Sequence, residues 1–198
     1  MVYQDEFSFY LQPTLAKDWA ETGTKTPLAR QSYLSQEMCY GIGALNPHTG
    51  DVVYQQIKRC TVVALHAFDT EICNRYPNAE RIYLIQDNRA IHFHANLIAA
   101  LLPQGADFDK PTPPNWTGKP SKQIGRLAKL PIEIVQLPTY ASWTNPIEKL
   151  WCWVRQSVIH LHRLSNDWQA LQDKVIAFME QFKGGSLPLL RYVGLLPN

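Results

Sequence analysis

The sequence predicts a mixed α/β protein, one sheet covered by helices on both faces. Three observations carry this. Three strand-like segments come first, within residues 2–58. From residue 61 onward, helical and strand-like segments alternate. The run Ile82-Tyr83-Leu84-Ile85 is short, continuous and apolar, as in strands buried on both sides. Initial strands followed by strand–helix alternation describe a sheet packed between helical layers.

Residues 2–10 form the first strand, with apolar residues on both faces. Residues 37–45 form a second, Asn46-Pro47-His48-Thr49-Gly50 is a turn by composition, and residues 51–58 return, so 37–58 is a hairpin. Helical spacing runs through Val62, Leu65, Phe68 and Ile72 in residues 61–75, with Thr61 suited to the N-cap. Residues 81–86 are a buried strand, and 94–102 a helix ending near Pro103. The stretch 103–126 holds five prolines and three glycines and reads as an irregular insertion. Residues 131–137 are another strand. A helix over 145–162 carries the stripe Ile147, Leu150, Trp151, Val154, Val158 and Leu161. A last helix, 167–182, shows Trp168, Leu171, Val175, Phe178 and Phe182, and Gly184-Gly185 stops it. This order is that of the ribonuclease H-like architecture. At 198 residues it makes one domain, 1–198.

Composition sets limits. Hydrophobic content is 45%, ordinary for a globular chain, and no apolar run reaches the length of a membrane span. The opening residues are acidic and aromatic, unlike a signal peptide. Cys39, Cys60, Cys73 and Cys152 lack metal-knuckle spacing and read as reduced thiols of a cytoplasmic protein. The net charge of +2 is uninformative, but its distribution is not. Between residues 119 and 163, seven basic residues (Lys119, Lys122, Arg126, Lys129, Lys149, Arg155, Arg163) face two acids, Glu133 and Glu148. Such a stretch is either a solvated face or a surface for a polyanion.

Three acids stand at the ends of predicted elements. Asp87 directly follows a buried strand, where ligands gather in open α/β sheets. Asn88 beside it would bond a ligand or close an Asx turn. Glu148 falls in the first helical turn, after Asn145 at the N-cap and Pro146 at the first helical position. A glutamate there completes a capping arrangement, and the helix dipole keeps it ionised, which equally suits a metal ligand. Asp5 shares a strand face with Tyr3, Phe7 and Phe9, while Glu6 points the other way. An acid on an apolar face must be paired, metal-bound or at a wet strand end. Hard oxygen donors point to Mg2+ or Mn2+ rather than zinc, and His92 and His94 fit a surface or supporting role.

The ordered set Asp87-Asn88-x-x-x-His92, Leu137-Pro138-x-Tyr140 and Asn145-Pro146-Ile147-Glu148-x-x-Trp151 resembles the catalytic domain of bacterial insertion-sequence transposases of the mariner superfamily. Asp5-Glu6 followed by Trp19-x-x-x-Gly23 looks like the start of that domain. The resemblance implies an Asp-Asp-Glu triad of Asp5, Asp87 and Glu148 holding two metal ions, Asp5 bridging them. It implies cleavage at transposon ends and strand transfer of a freed 3′-hydroxyl into target DNA, without a covalent protein–DNA intermediate. Asn88, His92, Lys149 and Arg155 are the supporting or DNA-binding candidates. The partners implied are DNA and a second copy in a homodimer, in a nucleoid-associated bacterial protein.

The sequence also departs from that family. Sixty residues separate Asp87 from Glu148, an excess close to the length of the 103–126 insertion. The usual Tyr-Ser-Pro is Tyr140-Ala141-Ser142-Trp143. Only four residues precede Asp5, leaving no room for the family's N-terminal helix-turn-helix modules, so end recognition would fall to a separate helix-turn-helix polypeptide or to an upstream reading frame. Two other readings stay open: a nuclease of the same fold without strand transfer, and an inactive DNA-binding remnant.

Overall fold

The structure is a computed structural model and describes residues 1–17, 22, 29–33, 36–101 and 128–197. The predicted 103–126 insertion, Trp19, Gly23, Lys119, Lys122 and Arg126 lie outside the described residues.

Five strands form one sheet: β1 Val2–Tyr10, β2 Met38–Leu45, β3 Val52–Ile57, β4 Ile82–Gln86 and β5 Ile132–Gln136, in the order β3-β2-β1-β4-β5. The first three are antiparallel neighbours, whereas β4 and β5 run parallel to β1. The mixed sheet predicted from sequence is therefore present, and β1 is its central strand.

Two helical layers cover it. On one face, α1 (Val62–Arg75) and α2 (Ala95–Leu101) bury Leu65, Phe68, Ile72, Leu97 and Leu101 against Val2, Ile42, Ala44, Ile82, Leu84 and Ile132. On the other, α3 (Ile147–Val154), α4 (Trp168–Glu180) and α5 (Leu187–Val193) pack Trp151, Val154, Leu171, Val175 and Leu189 onto Phe7, Phe9, Leu45 and Val52. The two-residue period of β1 makes both cores possible: Phe7 and Phe9 face one layer while Val2, Gln4 and Glu6 alternate to the other.

Two helix starts are capped, the first at the predicted Thr61. Thr61 Oγ1 accepts from Ala64 N at 3.2 Å and Asp167 Oδ1 from Ala170 N at 2.9 Å. Three features differ from expectation. A 3-10 turn, Ala90–Phe93, precedes α2. The helix expected over 145–162 stays α-helical only to Val154, widens to a π segment over Arg155–Ile159, and ends at His160, with Leu161 at φ 52. Thr14 holds that end, its hydroxyl 2.6 Å from His160 Nδ1. Finally, α5 follows the Gly184-Gly185 stop; Ser186 caps it, accepting from Leu189 N at 3.2 Å.

Candidate active site

The strand register brings the first two acids level. Tyr3 of β1 lies beside Ile85 of β4 in parallel pairing. Asp5 lies two residues beyond Tyr3 and Asp87 two beyond Ile85, so both follow the last paired rung between β1 and β4. Asp87 stands just past the carboxyl end of β4, where ligand sites form in such sheets, and Asp5 sits mid-strand in β1.

Asp5 is buried, and Trp151 Nε1 donates to its Oδ2 at 2.8 Å. The indole reaches it because of Gly43, the residue paired with Asp5 across β1 and β2. A Cβ at Gly43 would stand 2.5 Å from Trp151 Cη2. Gly41, paired with Phe7, makes the same allowance, since a Cβ there would lie 2.4 Å from Phe7 Cε1. In the space left by the alternating glycines, Phe7 stacks on Trp151 with ring centroids 4.5 Å apart. Trp151, three residues after Glu148 on α3, thus anchors the helix to the strand that carries Asp5.

Glu148 enters the site from the first turn of α3. Asn145 is extended (φ −81, ψ 108) and Pro146 already helical, so by its dihedrals the helix begins where the sequence indicated. Asn145 has a second task that the sequence did not reveal. Buried at 2% exposure, it donates through Nδ2 to Gln4 O on β1 at 3.0 Å, while Oδ1 stands 3.4 Å from Ile147 N. The start of α3 is pinned to the backbone next to Asp5.

Asp87 closes a turn, its Oδ1 accepting from Arg89 N at 3.1 Å. Asn88 Nδ2 donates to Leu137 O at 2.7 Å, bracing the end of β4 against the loop that leads to Glu148. His92 is buried, its Nε2 3.4 Å from Asp87 Oδ1 and 3.5 Å from Glu6 Oε1. His94 Nδ1 instead accepts from Asn96 N at 3.2 Å, a local bond at the start of α2. The Arg155 guanidinium lies 5.9 Å from the Phe7 ring centroid and close enough to Glu148 to oppose the rise in its pKa. Lys149 turns toward the carboxyl end of α5, its Nζ 3.0 Å from where a Gly194 Cβ would stand.

The electrostatics are those of crowded carboxylates. Burial, then the nearby charges of Glu148 and Glu6, push Asp5 up to about 7. Burial raises Glu148 as well, and the charge of Asp87 adds to this while Arg155 opposes it. Burial alone would raise Asp87, but contact with His92 and the Arg89 amide more than offset it and hold the carboxyl below its ordinary value. Burial disfavours a charged His92, yet Asp87 and Glu6 lift it to about 9, so the imidazole is cationic at neutral pH.

Asp5 is therefore within electrostatic range of Glu148, and Glu148 of Asp87. Among the described residues, no group of three His, Cys, Asp or Glu side chains is already arranged to hold a metal ion. The donor chemistry nevertheless suits Mg2+ or Mn2+: three carboxylates, two of them raised first by burial and then by a neighbouring acid whose charge a cation would offset. The four cysteines are free thiols, and among the described residues no helix is long and apolar enough to cross a membrane.

Known proteins resemble this chain. The chain is similar to the insertion element IS630 uncharacterized 39 kDa protein of Shigella sonnei, 25% identical over 186 residues, or 92% of this chain and 46% of that protein. The chain thus spans about half the length of its curated relative. The Mos1 mariner paired end complex with Mn has the same fold, at TM-score 0.60 and 13% identity over 99% of this chain and 52% of that one. The Mos1 strand transfer complex matches at TM-score 0.55 and 16% identity, over 99% of this chain and 51% of that one. These likenesses identify the five-stranded sheet as ribonuclease H-like. The model of the DDE superfamily endonuclease family matches residues 1–172, and the chain belongs to that family.

Proposed function

We propose that this chain is the catalytic domain of a DDE transposase, which cleaves DNA at transposon ends and transfers the freed 3′-hydroxyl to target DNA. The observation that supports this reading is electrostatic: Asp5 on β1 interacts with Glu148 at the start of α3, and Glu148 with Asp87 after β4, on a ribonuclease H-like sheet. The Mos1 structures of the same fold are paired-end complexes with Mn or Mg and a strand transfer complex. DNA and a divalent cation are extended from them to this chain as part of the proposal.

Asp5, Asp87 and Glu148 would hold Mg2+ or Mn2+. Bound there, two such ions supply the Lewis acidity that favours an attacking oxygen and a leaving oxygen in phosphoryl transfer. The protein supplies the orientation. Trp151 fixes one oxygen of Asp5, Asn145 ties the first turn of α3 to β1, and Asn88 braces the loop before it. Arg155, half-buried beside Glu148, is placed to meet a phosphate. The raised pKa of Asp5 means that a proton leaves as a cation arrives, so metal affinity rises with pH. A second copy of the chain would complete the active assembly.

Incubating the chain and Mg2+ with a pre-nicked duplex carrying a transposon end and a target duplex tests this. Joined products support the transposase. Hydrolysis alone supports a nuclease of the same fold, and DNA binding without either product an inactive remnant.

A further inference from the structure

Glu6, the neighbour of Asp5, has no part in the triad, yet its side chain is fully enclosed, at 0% exposure. Strand alternation turns it to the sheet face opposite Asp5, toward α1 and α2. A carboxylate buried there needs partners, and both come from the short segment that follows β4. Arg89 Nη1 donates to Glu6 Oε2 at 2.7 Å, and His92 Nε2 stands 3.5 Å from Glu6 Oε1. The same His92 nitrogen is 3.4 Å from Asp87 Oδ1, and the Arg89 amide donates to that same oxygen at 3.1 Å. Every contact between Glu6 and this segment thus passes through a residue that also touches Asp87. Asp69 on α1, 1% exposed, interacts electrostatically with both His92 and Glu6 and closes the cluster from the helix side.

We propose that Glu6 is a positioning residue for the metal site: it grips Arg89 and His92 and through them fixes the Asp87 carboxylate relative to Asp5. One dipeptide then serves both sheet faces. Asp5 faces the ions directly, and Glu6 locks the second ligand in register from behind. Partners of metal-binding carboxylates tune affinity by about 10–100-fold without touching the ion. Glu6 is not itself a ligand, because it lies on the far face from Asp5, where Oε2 accepts from Arg89 and Oε1, without a hydrogen bond, faces His92 at 3.5 Å.

This inference rests on the triad reading, and the test separates the two. Mn2+ binding to the purified chain is measured by electron paramagnetic resonance for the parent, Asp87→Asn, Glu6→Gln, His92→Gln and the double variant Glu6→Gln/His92→Gln. Glutamine keeps the shape of Glu6 but brings an amide donor against one of two donors. The expected result is loss of site binding in Asp87→Asn and a 10–100-fold weaker Mn2+ affinity in Glu6→Gln. Saturating Mn2+ restores cleavage in Glu6→Gln, and the double variant is no weaker than the worse single one, since both residues act through one contact. Unchanged Mn2+ affinity in folded Glu6→Gln overturns the inference. So does a loss as complete as that of Asp87→Asn which Mn2+ cannot restore. If Asp87→Asn binds Mn2+ like the parent, the triad reading itself fails. Should Glu6→Gln melt at the assay temperature, Arg89→Gln replaces it, as that side chain is 44% exposed; a several-fold weakening supports the inference and none overturns it.

Discussion

Trp151 shows how much one side chain settles. Its ring is fully buried and stacked on Phe7, and its N–H is spent on Asp5. Trp151→Phe keeps an aromatic ring against Phe7 but removes the donor and part of the buried indole. The expected outcome is a folded protein less stable by about 1–3 kcal/mol in urea denaturation, with weakened metal-dependent cleavage. Gly43→Ala attacks the same contact from the strand side. Its new Cβ would meet Trp151 Cη2 at 2.5 Å, so the indole must shift, at a cost of about 1–3 kcal/mol. Asn145→Asp removes the amide donor to Gln4 O and sets a carboxylate against a buried carbonyl. It should destabilise more than Asn145→Ala in the same denaturation measurement. The sequence revealed the acids but not these supports. Strand period alone placed Glu6 away from Asp5; nothing local indicates that Arg89 and His92, more than eighty positions on, come to meet it. The Gly41-Ile42-Gly43 alternation was the available sign that something large lies against β2, but it does not say what.

At the scale of elements, local signals and tertiary demands agree over most of the chain. The five strands and α1 fall within one or two residues of their sequence-based bounds, because period-2 patterning, turn composition and the Thr61 cap all act locally. Thr61→Ala should lower stability by about 1 kcal/mol, read from the shift in urea midpoint at constant slope. The differences arise where tertiary contacts decide. The apolar stripe of α3 continues through Val158 and Leu161, so periodicity extends the helix past its end. What stops it is the meeting with Thr14, where Leu161 N donates to Thr14 O at 3.1 Å and Leu161 takes a left-handed φ of 52. Helix α5 is only seven residues long, too short for periodicity to stand out, although Ser186 and Pro188 spell a helix start and Gly194 a stop.

For the whole molecule, two buried acids give opposite pH signatures. Burial works to raise Asp51, but bonds from Arg75, Gly184 N and Tyr76 prevail and its folded pKa is lowered. The unfolded state therefore binds the extra proton first, near pH 4. The stability Asp51 contributes is present above that value and is lost as pH falls through the lower folded one. Asp69 is the reverse. Burial above all, with Glu6 adding and His92 opposing, raises it to about 7. Between about pH 4 and 7 the folded state holds the proton, so Asp69 costs stability as pH rises through that window. Urea titrations across pH should show a shallower acid limb for Asp51→Asn. For Asp69→Asn they should show less decline from pH 4 to 7.

The central claim is that Asp5, Asp87 and Glu148, carried by three separate elements, form one metal-dependent DNA-processing site. Strand cleavage by Asp87→Asn, compared with the parent chain in Mg2+, tests it most directly. The substitution is predicted to abolish cleavage while leaving the thermal melt and the salt-sensitive binding of DNA largely intact. Equal cleavage by variant and parent would contradict it.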